Sequence, residues 1–443
     1  MSYILPTIRR VAVIGAGPGG LVAAKQLKEE GVFDKITVFE RNDQIGGTWI
    51  YSPEKNANPP LPSDDALKVD PPNIDRPFQR LRSAMYAGLH TNLPKTVMCY
   101  RDFDFGANVP VFPSHDDVLT YLQQFAAAFD LEPMVRLNTS VVKADYADDE
   151  WTLTLQTPDQ KTFIDTFDAV VVATGHYAIP YIPPVEGIDA LDNLPWIHSR
   201  EYRSPEDYKD QTVLVIGSGS SGLDIVRETS KVATKVYHCV RSDNKQSLQA
   251  HALDSANVER VGLVQRILAD GTIDCGGRIL KVDQVVFATG YLFSFPFFPF
   301  EQDNLIVDGH RVEHLHEFMF YTKNPTLAFM GLPIRIVPLP LSQSQAILIA
   351  RCWNPQRSTV GLPALEETVD KSQDGPRSFV LNVESEFAYV ERLGAWAEGY
   401  GQDPDQLTAW RAKSNNPLTC PLSEKWKQER IDALVLRKQY LGY

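Results

Sequence analysis

Two stretches of this sequence carry spacings that do chemistry. Gly15-Ala16-Gly17-Pro18-Gly19-Gly20 follows the apolar run Val11 to Ile14. Gly217-Ser218-Gly219-Ser220-Ser221-Gly222 follows Val213 to Ile216 in the same way. In such a turn the first glycine permits the tight bend, and the second lets backbone approach a pyrophosphate. The third lets the ensuing helix pack closely on the strand. The helix N-terminus then offers unpaired N–H groups and a partial positive charge to an anion. The two turns differ at the end of the next strand. Glu40 stands twenty residues after Gly20, with Arg41 beside it. A carboxylate there accepts from both hydroxyls of an unphosphorylated ribose. Laying Ile36 to Arg41 on Val236 to Arg241 puts Val240 where Glu40 stands, followed by Arg241. Without the acid the repulsion toward a 2′-phosphate is gone, and an arginine can pair with that phosphate bidentately. The second nucleotide is therefore expected to be NADP(H). The first lacks a 2′-phosphate, which leaves FAD or NAD. Arg241 keeps a competing reading as a solvated strand-end residue.

The elements around these turns must be βαβ units. Leu21, Val22, Ala24 and Leu27 predict a helix over residues 21–30 that closes at Gly31, and Ile36 to Phe39 a second strand. The second copy predicts a helix from Leu223 to Val232 and a strand from Val236 to Val240. Val170-Val171-Val172-Ala173-Thr174-Gly175 and Val285-Val286-Phe287-Ala288-Thr289-Gly290 read as buried parallel strands stopping at small-residue turns. Residues 53–77 carry seven prolines and are expected to be a surface excursion. Residues 142–167 alternate in the manner of antiparallel strands, and helical spacing returns from about residue 360, as at Val383, Phe387 and Val390. The expected fold is α/β, with two Rossmann-like dinucleotide-binding domains, the second inserted into the first. The outer domain takes residues 1–180 plus 292–443, and the insert takes 181–291. Catalysis belongs in the cleft between them, at the C-terminal ends of strands.

Composition narrows the partners. The 443 residues are 43% hydrophobic and 22% charged, the profile of an ordinary globular chain. A net charge of −13 argues against nucleic acid, which needs a basic surface. Cys99, Cys239, Cys275, Cys352 and Cys420 form no CxxC pair, which fits a reducing compartment and neither a disulfide framework nor a metal site. Met1 to Arg10 does not read as a secretory signal, and no segment offers the ~20 apolar residues of a membrane span. A cytoplasmic location without membrane attachment is expected.

Further along, the sequence resembles the flavin-containing monooxygenases, specifically their shorter, soluble branch, over roughly residues 8–355. Gly46-Gly47-Thr48-Trp49 matches that family's GGxW motif. Tyr86 to Asp102, with Thr91-Asn92-Leu93-Pro94-Lys95 and Met98, resembles its TNxPKxxM stretch. Ala173-Thr174-Gly175-His176 with Pro180, and Phe287-Ala288-Thr289-Gly290-Tyr291, match its two ATG strands. Pro325 to Leu332, then Gln343 and Gln345 ahead of Arg351, resemble its C-terminal return to the flavin. The family fingerprint FxGxxxHxxx(Y/F) survives as His198 and Tyr202, with Asp192 and Leu194 at its first two positions.

The resemblance implies that the first nucleotide is FAD and the second NADPH. It implies a monooxygenase of the N,N-dialkylaniline or heteroatom-oxygenating type, acting on a small molecule with molecular oxygen through a C4a-hydroperoxyflavin. A homodimer is a family-level expectation. Asn92 is then the catalytic residue, its amide beside flavin and nicotinamide. An amide both donates and accepts, so it can hold a peroxide without protonating it. The competing reading is a turn asparagine two residues before Pro94. Thr48, Trp49, Thr91, Thr289 and Gln345 join the cofactor-binding set. Trp49 packs on flavin or fills the core behind its loop; His198 and Tyr202 orient the linker or are core residues. His176 reads as part of the hinge, and Leu292 to Phe300 as either an entrance or core. With no side-chain nucleophile in view, the hard chemistry falls to the cofactor. The aromatic at Tyr202 favours heteroatom oxidation over the Baeyer–Villiger alternative on ketones. A pyridine-nucleotide disulfide reductase would need a close cysteine pair, and a redox-sensing module without turnover would not need both turns intact.

Overall fold

Apolar runs of four or five residues have become strands buried on both faces, so parallel sheets covered by helices are the only arrangement open to them. The computed structural model describes residues 5–71, 77–240, 255–298, 304–357, 360–362, 365–369 and 375–441. In the first sheet Arg10–Ile14 lies between Lys35–Phe39 and Ala169–Val172, parallel to both. Val135–Arg136 extends one side, and Leu327–Phe329, Phe320–Tyr321 and Leu315–His316 extend the other. In the second sheet Thr212–Ile216 lies between Lys235–Cys239 and Gln284–Phe287, again parallel. Val258–Val261 and Trp196–His198 form its edges. The repeat holds in register: Val11 faces Ile36, and Val213 faces Val236. The fold is thus α/β with two Rossmann-like sheets.

The chain passes between the sheets twice, side by side. Ile179–Pro180 pairs antiparallel with Tyr291–Leu292. The Tyr181 N–H donates to the Gly290 carbonyl at 2.9 Å, and the Thr289 hydroxyl donates to the Tyr181 carbonyl. Residues 142–167 do fold as antiparallel strands, Ser140–Ala147, Glu150–Gln156 and Thr162–Phe167.

The helices begin and end differently from the reading of their apolar pattern. Pro18–Glu30 starts three residues early, with Gly17 as its cap and Pro18 in its first turn, where a missing N–H costs nothing. It closes on Gly31 in the left-handed region, φ 68°, as expected. The second helix is Ser220–Thr229 rather than Leu223 to Val232. Apolar periodicity misses a first turn made of serines, and Ser230 to Val232 form a turn instead. C-terminal helix starts at Pro338–Trp353, well ahead of residue 360. Pro338 and Pro340 in its first turn disguise it, and it is buried nearly all round, so it lacks an amphipathic stripe. Val383–Ala397, Pro404–Lys413, Glu424–Ile431 and Ala433–Leu441 follow.

The described part of the proline-rich excursion contains one helical turn, Ala66–Val69, capped by Asp65. It is tied back by a Ser63–Ile182 bridge and by Asn56, whose backbone and amide N–H groups donate to Glu201. The aromatic run is core: Leu292, Phe293, Phe295, Phe297 and Phe298 are buried with Phe329 and Phe379. Pro299 and Phe300 lie outside the described residues. Among the described residues no helix is long and apolar enough to cross a membrane.

Candidate functional site

The first glycine turn is walled by backbone. A Cβ on Gly15 (φ +104°) would lie 2.6 Å from the Ala173 carbonyl oxygen, and one on Gly20 only 1.8 Å from that of Gly15. The Gly46-Gly47 loop leans on the turn. Gly46 N–H donates to Ala16 O at 3.1 Å, and a Cβ on Gly47 would come within 2.7 Å of Gly17 Cα. Thr48 and Trp49 complete a 3-10 turn, with the half-buried Trp49 packed against the main core. Glu40 is 4% exposed, and its carboxylate accepts from Ala16 N at 2.7 Å and Asn42 N at 2.8 Å. Each oxygen keeps a lone pair for a further donor. Arg41 beside it is half-buried. The Pro18–Glu30 helix has no side-chain cap, so Gly19 and Gly20 N–H groups lack intrahelical partners. Close backbone approach plus uncapped donors fit a pyrophosphate.

The second turn shares the backbone geometry but, among the described residues, is open above. A Cβ on Gly217 (φ +123°) would lie 2.1 Å from Ala288 O, and one on Gly222 2.2 Å from Gly217 O. A Cβ on Gly219, however, would meet nothing within 4 Å among the described residues. Gly219, Ser220 and Ser221 are exposed, Ser218 is half-buried, and the Ser220–Thr229 helix also has no side-chain cap. Beneath the turn, His238 Nε2 lies 2.9 Å from the Gly217 carbonyl, where the first sheet has Val38. Burial holds the His238 pKa below its ordinary value, so the neutral ring donates. Val240 follows the strand; Arg241 lies outside the described residues.

The segment carrying Asn92 spans from one turn's helix to the other's. At its start the Tyr86 hydroxyl donates to Asp224 Oδ2 at 2.8 Å, and a Cβ on Gly88 would lie 2.4 Å from Glu228 Oε1. Asp224 and Glu228 share a face of the Ser220–Thr229 helix. At its end the Tyr100 hydroxyl donates to Pro18 O at 2.7 Å, and Asp102 pairs with the buried Lys25 at 2.6 Å, both on the Pro18–Glu30 helix. Gln343 Nε2 donates to Asp102 at 2.7 Å. Between these anchors Asn92 is exposed. Thr91 is buried, and its groups build the turn: N–H to Pro113 O, hydroxyl to Leu93 O.

Other expected residues have protein partners. Gln345 accepts from Gly331 N at 2.9 Å and donates to the Tyr389 hydroxyl at 3.0 Å. Tyr202 is fully buried, donates to Glu228 at 2.8 Å and sets its ring edge-on to Tyr86. His198 is a core residue: Nδ1 accepts from Arg200 N, and burial, with Arg200 adding to it, holds its pKa down at about 3. His176 packs against Tyr177 and Phe293, and burial holds its pKa down at about 4. The five cysteines are free; burial pushes Cys99 up to about 12 and Cys239 up to about 11, away from thiolate chemistry. Reading the sequence missed Tyr86, Tyr100, Lys25 and the Asp224–Glu228 pair. The two carboxylates four apart on the helix after a phosphate turn were the available signal.

Comparison with known proteins agrees with this geometry. The family described as flavin-binding monooxygenase-like matches residues 77–247, and an NAD(P)-binding Rossmann-like domain matches residues 13–63. Flavin-containing monooxygenase FMO GS-OX-like 4 of Arabidopsis thaliana is 32% identical over 459 positions, covering 99% of this chain and 94% of the relative. The structure of S-allyl-L-cysteine S-oxygenase from Allium sativum is similar at a TM-score of 0.74 and 28% identity, covering 99% of this chain and all of that one. Tmm from Pelagibacter sp. strain HTCC7211 shares the fold at a TM-score of 0.68 and 20% identity, covering 95% of this chain and 98% of its own. Two phosphate turns bridged by one anchored segment, and kinship along nearly the whole chain, lead to one conclusion: this chain belongs to the flavin-containing monooxygenase family.

Proposed function

We propose that the chain is an NADPH- and oxygen-dependent monooxygenase of small molecules carrying a soft nucleophile, sulfur ahead of nitrogen. The observation that carries this is the Asn92 segment, tied at one end to the helix of the first turn and at the other to that of the second. A residue so placed serves both nucleotides at once. Sulfur is favoured by the likeness to the S-allyl-L-cysteine S-oxygenase.

FAD and NADPH are the cofactors. Residues 1–180 with 292–443 hold FAD, through the turn Gly15 to Gly20, Glu40 with Arg41, and the Gly47-Thr48-Trp49 loop. Residues 181–291 hold NADPH through the turn Gly217 to Gly222, and the absence of a carboxylate at Val240 admits the 2′-phosphate. FAD, reduced by NADPH, supplies the oxygen-activating chemistry. One oxygen atom goes to the substrate sulfur, and the other leaves as water with the two electrons of NADPH and two protons. Asn92 would present its amide N–H and carbonyl to the flavin and nicotinamide and, being neutral, would offer no acid there. A cytoplasmic location fits the free cysteines.

The test supplies flavin-loaded protein with NADPH, oxygen and an S-alkyl cysteine or a tertiary amine, and measures oxygenated product against NADPH consumed. One sulfoxide per NADPH is expected. NADPH consumption with stoichiometric peroxide and no oxygenated product overturns the reading.

A further inference from the structure

We infer that Tyr86, with the Asp224 carboxylate it holds and Arg437 behind it, is a positioning device that sets the register of Asn92 against the second nucleotide turn. This rests on the proposed role of Asn92. Tyr86, Tyr202, Asp224 and Glu228 are all buried, and they form one polar node between three parts of the chain. The node receives Tyr86 from the Asn92 segment and Tyr202 from the linker that follows the Trp196–His198 strand. It receives Arg437 from the C-terminal helix, with Nη2 3.3 Å from Asp224 Oδ1. Arg227 lies 3.4 Å from the same oxygen.

A node of this composition is a poor way to hold two surfaces together, because desolvating carboxylates and guanidiniums offsets most of what they gain by pairing. Its use is geometric. Apolar faces slide past one another at little cost, whereas a buried phenol–carboxylate bond has one register and is expensive to leave unmade. What is registered is specific. Asp224 lies about one helical turn beyond the uncapped N–H groups of the second phosphate turn. Tyr86 lies six residues before Asn92, and the chain between them is stiff. Leu89 O accepts from His115 N, His90 bridges to Ser114, and Thr91 N donates to Pro113 O. A shift at Tyr86 therefore reaches Asn92 with little slack.

Arg437 extends the device to the end of the chain. The Ala433–Leu441 helix exposes Leu434, Val435 and Tyr440, and among its inward links are buried Ala433 and the Arg437–Asp224 pair. The pair thus ties the last helix to the second nucleotide unit.

Tyr86→Phe removes one hydroxyl, and Arg437→Met keeps the stem while removing the charge. Both are made in the flavin-loaded full-length protein. Bound flavin per chain is expected to stay within a few per cent of the parent, and Tm within a few degrees. Anaerobic flavin reduction at saturating NADPH is expected to fall about tenfold, in line with the cost of misplacing a reacting group by less than an ångström. The dissociation constant for NADP+, read from its perturbation of the oxidised flavin spectrum, is expected to rise severalfold. The double variant Tyr86→Phe with Asp224→Asn should reduce no more slowly than the slower single one, because both break one link. Reduction rates and NADP+ affinities within twofold of the parent, whatever happens to Tm, would overturn the inference. Neither readout uses oxygen or substrate, so this result is separable from the fate of the oxygenase reading.

Discussion

The two phosphate turns are near copies in backbone and opposites in surroundings. At the first, the Gly46-Gly47 loop closes over Gly17, and Glu40 is locked between two backbone N–H groups. At the second, a side chain on Gly219 would meet nothing among the described residues, Ser220 and Ser221 are exposed, and the strand runs out at Val240 without an acid. The underside differs too, with His238 gripping the turn where Val38 stands in the first sheet. One geometry thus serves two regimes. A walled turn suits a cofactor that stays through many turnovers, and an open one suits a co-substrate that must enter and leave. On the proposed assignment both turns take a pyrophosphate, which accounts for the common glycines, and the walls differ as the two residence times do.

The comparison breaks most readily at Gly20. Gly20→Ala puts a methyl 1.8 Å from Gly15 O, with only backbone able to yield. It is expected to cost at least about 3 kcal/mol and to leave purified protein without flavin, measured by visible absorption and thermal melting. If the variant stays yellow, the wall does not retain the cofactor. Next comes Glu40→Ala, which leaves the Ala16 and Asn42 N–H groups without their carboxylate. About 2 kcal/mol of stability should go, and flavin should escape on dialysis. Acid comes next. The folded pKa of His198, about 3, lies below the unfolded value of about 6.5. The unfolded chain therefore takes up the proton first as pH falls. The stability due to the neutral ring is complete above about pH 6.5 and is lost through the window below it. At about pH 5 the loss is roughly 2 kcal/mol, and His238, shifted in the same direction, adds to it. His176, held at about 4 by burial beside Phe293, loses its share in the same window on the outer side, so acid loosens both. His198→Gln should remove the second sheet's share, read by hydrogen exchange of its strands; unchanged acid sensitivity of that sheet counts against the assignment. The smallest effect is expected at Gly219→Ala. Its φ of −75° suits any residue, but Gly219 caps the helix, where alanine is the poorer residue, so stability should change by less than about 1 kcal/mol while NADP+ binding weakens. Unchanged binding would mean that the pyrophosphate does not approach there.

What the sequence made legible was local. Gly15, Gly20, Gly217 and Gly222 announce their turns because no other residue survives those contacts, and Gly31 announces a helix end because it is left-handed. Helix starts escaped because Pro18, Ser220 and Pro338 occupy first turns that carry no apolar period. The protein partners of Thr289 and Gln345 escaped for another reason: they lie far along the chain, Tyr181 in one case and Gly331 with Tyr389 in the other. Spacing along the chain does not report such pairs. The same holds for Tyr86 and Asp224, which lie in different sheets' territory and meet only after folding.

The paired crossing strands, Ile179–Pro180 with Tyr291–Leu292, bear on how the chain is made rather than on how it works. The outer sheet must pair Ala169–Val172 with Leu327–Phe329, segments roughly 150 residues apart. Contacts of such separation are slow to form, because the loop must be closed before it is rewarded. Once residues 181–290 have folded, however, the ribbon has already brought the two ends together, and the outstanding loop shrinks to a few tens of residues. Synthesis from the N-terminus delivers the inner sheet complete before Leu327 leaves the ribosome, so the long-range pairing of the outer sheet becomes, in order of events, a short-range one.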